Sequence, residues 1–111
     1  MRILYQISTK EMAVALESAA AARRVGHDVA LFLAADAVIA AAPEKFLTNT
    51  HLPGMAGTRP NARWLLDNGV PFYVHGAYAE KMGIKPSPQI VFATFDQLAV
   101  ELANFDRVFA F

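Results

Sequence analysis

The chain has 111 residues, ten basic and ten acidic side chains for a formal net charge of zero, and no cysteine. The missing thiols exclude disulfides, thiolate metal sites and a catalytic cysteine, and the lack of a basic block leaves no surface to neutralise nucleic-acid phosphates. No apolar run approaches the ~18 residues of a membrane-spanning helix, and Met1-Arg2-Ile3-Leu4-Tyr5 reads as a strand and not a signal peptide, so the cytoplasm is the default compartment.

The length suits one domain over residues 1–111. Ile3 to Ile7 reads as a first strand. Ser8 with Glu11 fits a capping box, opening a helix that runs to about Val25 and repeats Met12, Ala15, Leu16, Ala19 and Ala22 at helical spacing. Arg23 and Arg24 complement its dipole and Gly26 stops it. Asp28 to Ala34, nearly all apolar, predicts a strand buried on both faces. Asp36 is placed to cap a short helix over Ala37 to Ala42, ended by Pro43. Pro43 to Pro60, broken by Pro53, Gly54 and Gly57, reads as a long loop of the lid or binding kind. Thr58 can cap a helix over Pro60 to Asn68, with Gly69 as its stop.

Pro71 to Val74 is a third strand, followed by a short helix from Gly76 to Met82 that ends at Gly83. Pro86 and Pro88 impose an extended link. Ile90 to Ala93 is a fourth strand. Thr94 with Gln97 is a second capping box, for a helix to about Ala103, and Arg107 to Phe111 closes the chain as a fifth strand. Alternating strands and helices predict an α/β fold of three layers, with a mainly parallel sheet of about five strands, helices on both faces and right-handed crossovers. Hydrophobic residues make up 55% of the chain, an excess that calls either for such double coverage or for surface buried in an oligomer.

In open parallel sheets, ligands bind beyond the carboxyl ends of the strands, near the point where strand order reverses. Those ends carry Ser8, Thr9 and Lys10, then Ala35 and Asp36, then His75 and Gly76, then Thr94. His75 stands where a strand becomes a helix. Its imidazole can serve there as a general base or an anion-binding donor, or simply bond backbone at the strand end. Thr9 and Lys10 lie at a helix N-terminus, a natural anion site, without a glycine-rich phosphate or dinucleotide fingerprint. His51 and Arg59 in the long loop either close over a ligand or stay solvated, and His27 reads as structural or solvated. The three histidines share no metal-ligand spacing, no cofactor signature is present, and Trp64 with Leu65 and Leu66 reads as a core-facing helix stripe.

The whole chain resembles the DsrE/DsrF-like sulfur-relay family. The resemblance rests on Ile3-Leu4-Tyr5, an Ala-rich helix, Gly26-His27-Asp28-Val29-Ala30-Leu31-Phe32, Leu65-Leu66 with Gly69-Val70, the segment Tyr73 to Ile84, and Asp106 to Phe111. Tyr73–Ile84 is the most telling, because its small residues and closing Gly83-Ile84 match the loop that holds the family's reactive cysteine. The resemblance implies a five-stranded, flavodoxin-like sheet and ring-like trimers or hexamers. In active members the loop cysteine accepts sulfane sulfur as a persulfide; here His75 and Tyr78 occupy the positions where it commonly falls, and neither can carry one. Some members are cysteine-free partners of active subunits, and this chain is similar to those.

Three readings follow. The first is a non-catalytic, oligomer-forming member that binds a sulfur-relay partner protein or a small sulfur-containing or anionic ligand near His75. The second is an enzyme of other chemistry, using His75 with Tyr78 and Lys10 as acid, base and anion holder. The third is a purely structural oligomer. Val108-Phe109-Ala110-Phe111, with Phe46, Leu47, Leu52 and Met55, form the apolar surface that assembly would cover.

Overall fold

A computed structural model describes residues 1–8, 11–42 and 58–111. Its elements are β1 (Arg2–Ile7), α1 (Met12–Arg24), β2 (Asp28–Leu33), a 3-10 helix (Ala35–Ala41), α2 (Thr58–Asp67), β3 (Phe72–His75), α3 (Gly76–Lys81), β4 (Ile90–Ala93), α4 (Phe95–Glu101) with a 3-10 turn (Leu102–Asn104), and β5 (Arg107–Ala110). The strands form one five-stranded sheet in the order β4-β3-β2-β1-β5, and every pairing is parallel.

Strand order and crossover hand together decide where the helices go. From β1 to β4 the chain steps always in one direction, so right-handed crossovers put α1, the 3-10 helix, α2 and α3 on one face. The return from β4 to β5 runs the other way and carries α4 to the opposite face. Burial follows this division. Ile3, Tyr5, Ile7, Leu31, Leu33, Phe72 and Val74 point into the larger core, against Leu16 and Ala19 of α1, Val38 of the 3-10 helix and Leu65 of α2. Leu4, Ala30, Phe32 and Ala34 form a much smaller core on the other face, closed by Leu98 of α4. β2, flanked by β1 and β3, is buried on both sides from Val29 to Leu33, which explains its unbroken apolar run.

The helix stops fall where the glycines lie. Gly26, Gly69 and Gly83 adopt φ of 99°, 78° and 70°, the left-handed turn that ends α1, α2 and α3. The second capping box is formed: Gln97 N donates to Thr94 Oγ1 at 3.1 Å and Thr94 N to Gln97 Oε1 at 2.7 Å.

Several local expectations are corrected. Ser8 and Glu11 do not form a capping box; α1 begins at Met12, with Glu11 as its N-cap and no side-chain cap bond there. Ser8 is held in extended chain instead, its backbone N–H donating to the Phe111 carbonyl at 3.0 Å, so pairing with the β5 segment overrides the local motif. Asp36 does not cap a helix from Ala37. It lies within the first turn of the 3-10 helix, whose N-cap is Ala34, and the turn is made by Ala35 at φ 52°. Thr58 is the first residue of α2 itself, so that helix starts two residues before Pro60. Of the expected long loop, residues 43–57, with Phe46, Leu47, Leu52 and Met55, lie outside the described residues.

Candidate functional site

The candidate site is built where β3 passes directly into α3. His75 ends β3 and is the N-cap of α3 at φ −63°, ψ 118°. Alternation along β3 sends Phe72 and Val74 into the larger core and leaves Tyr73 and His75 on the α4 face. There the His75 ring meets Phe95, the first residue of α4, at 4.8 Å between centroids, and Tyr78 of α3 at 5.2 Å. Phe95 in turn packs against Phe32 of β2 at 5.6 Å. Lys81, one turn beyond Tyr78, sets its ammonium 5.9 Å from the Tyr78 ring centre, within cation–π range. The result is an aromatic shelf drawn from β2, β3, α3 and α4, with one cation at its edge.

His75 is only partly buried as a residue, yet its Nδ1 is buried with no hydrogen-bond partner among the described residues. That asymmetry sets the chemistry. A neutral imidazole keeps one proton and places it where a partner or solvent can receive it. Burying an N–H without an acceptor at Nδ1 is costly, so this packing favours the tautomer with a bare Nδ1 and a proton on Nε2. A general base of the histidine type needs the reverse: a bare Nε2, with Nδ1–H held by an acceptor such as a carboxylate. The shelf therefore presents His75 as a hydrogen-bond donor.

The structure brings together three of the residues singled out in the sequence: His75, Gly76 and Tyr78. Gly76 opens α3, and a Cβ added there would meet Phe92 side-chain atoms at 3.7 Å, an ordinary contact. Tyr78 is 38% exposed, so its ring is available at the shelf's surface. Arg59 is not part of this group. It is exposed in the first turn of α2, the helix that covers the opposite face. Thr9, Lys10 and His51 lie outside the described residues.

The topological reversal also separates from His75. Strand order turns back between β1 and β5, two strands away from β3, and the chain ends there are laced together through Ser8 N to Phe111 O and Phe111 N to Gln6 O, at 3.0 and 2.8 Å. Phe32 and Phe95 were not anticipated as site residues. The signal for Phe95 was its place just after the Thr94 cap, at the carboxyl end of a strand. Among the described residues, no group of three or more His, Asp or Glu side chains is placed to hold a metal ion, and no helix is long and apolar enough to cross a membrane.

The sequence model of the DsrE/DsrF-like family matches residues 1–111. Among solved structures, the crystal structure of the ychN protein from E. coli superposes with a TM-score of 0.73 at 21% sequence identity, covering 100% of this chain and 99% of that one. That likeness speaks to the fold. No curated protein matches the chain.

Proposed function

This chain belongs to the DsrE/DsrF-like family, and from that premise we propose that it is a non-catalytic member which assembles with copies of itself and uses the His75 shelf to bind a partner protein or a small acceptor-bearing ligand in sulfur-relay-related metabolism. The observation that carries this reading is the pairing of an orphaned Nδ1 on His75 with a chain that has no cysteine at all. The loop that resembles the family's sulfur-carrying segment thus retains its strand-to-helix geometry. It offers a donor, a phenol and an ammonium in place of a thiol. A persulfide cannot form on any of these groups. The same orphaned nitrogen weighs against His75 as a general base, and with it against the enzyme reading.

Self-assembly is supported by apolar side chains that the edge strands and α4 leave uncovered. Val108 and Phe109 on edge strand β5 are 42% and 44% exposed, and Val91 of β4 and Phe95 and Val100 of α4 are also exposed. β5 pairs with β1 on one side only, so it offers a free edge with apolar residues on both faces, an arrangement that soluble monomers usually guard with charge or a covering element.

Native mass spectrometry of the purified protein tests this reading. A trimer or hexamer retaining a small molecule, with that mass lost in His75→Ala while the assembly persists, is the predicted result. A bare monomer at micromolar concentration contradicts the assembly. An oligomer whose ligand survives His75→Ala contradicts the placement of the site. A bare oligomer that also captures no sulfur-relay protein favours the purely structural reading.

A further inference from the structure

The face that carries the His75 shelf also holds a cavity, which shares Phe32 with the shelf but not His75 itself. It lies between the α4 side of the sheet and α4 itself and measures about 210 Å³. Phe32 and Leu98 close its inner side, and Tyr73 and Phe105 contribute aromatic walls. Gln97 and Glu101 line it from the helix.

α4 buries Leu98 against the sheet and leaves Val100 74% exposed. Gln97 and Glu101 are exposed as well and border the cavity at its rim, as polar residues flanking the buried stripe of a helix ordinarily do. The Gln97 side-chain oxygen is already taken by Thr94 N in the cap. Glu101 accepts one bond on Oε2, from Asn104 Nδ2 at 2.9 Å. Among the described residues that line the cavity it is the one that carries a charge. The nearby cation Arg2 belongs to a separate polar cleft at the amino ends of the strands, its guanidinium 5.0 Å from the Phe105 ring centre and donating to Asn104 O at 2.8 Å.

We propose that this cavity is a binding site for a small amine that carries one aromatic ring, the ring lodged between Tyr73, Phe105 and Leu98 and the ammonium meeting the Glu101 carboxylate at the rim. Size supports a single ring: an apolar cavity of about 150 Å³ takes a benzene, so the volume here adds room for a short arm. Charge decides the head group. Aromatic walls attract a cation through their ring faces, and the carboxylate adds a charge-assisted hydrogen bond. A carboxylate ligand would face repulsion from Glu101 with no cation among the described lining residues to offset it. This site does not rest on the assembly or His75 readings, although it borders both: Phe32 also packs against Phe95 at the shelf, and Val91, which lines the cavity, belongs to the apolar surface offered for assembly.

The test is titration of the full-length protein with 2-phenylethylamine and, separately, 3-phenylpropionate, followed by amide NMR shifts. The amine is expected to shift resonances of Leu98, Phe32 and Phe105 and to bind about tenfold tighter than the carboxylate, a partly exposed ion pair giving way to a like-charge contact. Glu101→Gln should reduce that preference to below about threefold while ring binding persists. Leu98→Trp should fill the cavity and abolish the shifts. If circular dichroism shows that this variant is unfolded, Ala93→Leu narrows the cavity from the sheet side and must weaken binding. Equal or tighter binding of 3-phenylpropionate, shifts confined to other parts of the fold, or no shifts with either compound overturns the proposal.

Discussion

Replacing His75 by phenylalanine should make the protein more stable, which is an unusual expectation for a residue at a proposed site. Nδ1 is buried without a partner among the described residues, and an unsatisfied buried polar group costs about 1–3 kcal/mol. The ring already sits among aromatic neighbours, Phe95 at 4.8 Å and Tyr78 at 5.2 Å, so a phenyl ring inherits the same packing without the unpaired nitrogen. Its extra volume has room, because the residue is only partly buried. We expect a net gain of about 1 kcal/mol, the lower end of the range, since some of the penalty is already relieved near the surface. For a chain of this length that raises the melting midpoint by about 4 °C. Urea unfolding followed by far-ultraviolet circular dichroism, with both proteins at the same concentration because assembly shifts the midpoint, measures it. A loss of about 1 kcal/mol or more would mean that Nδ1 is satisfied in solution, and the donor assignment of His75 would fail with it. A gain would show a polar group kept at a cost in stability, as binding sites commonly are.

Three further substitutions probe the supports of the site. Gln89 donates from Nε2 to Leu66 O at 2.6 Å and to Val70 O at 2.7 Å, joining the end of α2 to the start of β3; Gln89→Ala should cost about 1–3 kcal/mol in urea unfolding. Thr94→Ala removes the hydroxyl half of the α4 cap and should cost about 1 kcal/mol, with Phe95 resonances broadened because the residue it positions is the next in the chain. Gly76→Ala meets Phe92 only at ordinary contact distance, so the gain in helix propensity should leave stability unchanged or raised by up to about 1 kcal/mol. A large loss in thermal melting for that variant would show that Gly76 serves the backbone and not the site.

The fold was largely legible because its signals are local. Ile90–Ala93 is bounded by Pro88 and Thr94, and the strand occupies just those residues. Gly26, Gly69 and Gly83 marked helix ends that their positive φ values bear out. Errors arose where a distant partner outbid a local motif. Ser8 has the right spacing from Glu11 for a capping box, but its N–H is engaged by Phe111, about a hundred residues away in sequence, and no window around Ser8 contains that fact. Asp36 misled for a related reason: Ala35, not Asp36, makes the turn out of β2, in a left-handed conformation that nothing in an alanine advertises. The site was half visible. His75, Gly76 and Tyr78 are neighbours in the chain, so the sequence alone groups them. Phe32 and Phe95 join them only because β2 lies beside β3 and because the return crossover sends α4 to the second face, and strand order is not written in any single segment. Arg59 stays apart because α2, on the β2-to-β3 connection, packs on the other face of the sheet through Ala62 and Leu65 and leaves Arg59 exposed.

The most direct test of the account is the tautomer of His75. Ring-nitrogen-labelled protein, titrated to the pH at which the His75 imidazole is neutral, reports through two-bond proton–nitrogen correlations which nitrogen carries the proton. The account predicts a proton on Nε2 and a bare Nδ1, as required for a donor presented to a ligand. A proton on Nδ1 would require an acceptor beside it, would turn Nε2 into a base, and would contradict the non-catalytic reading in favour of an enzyme.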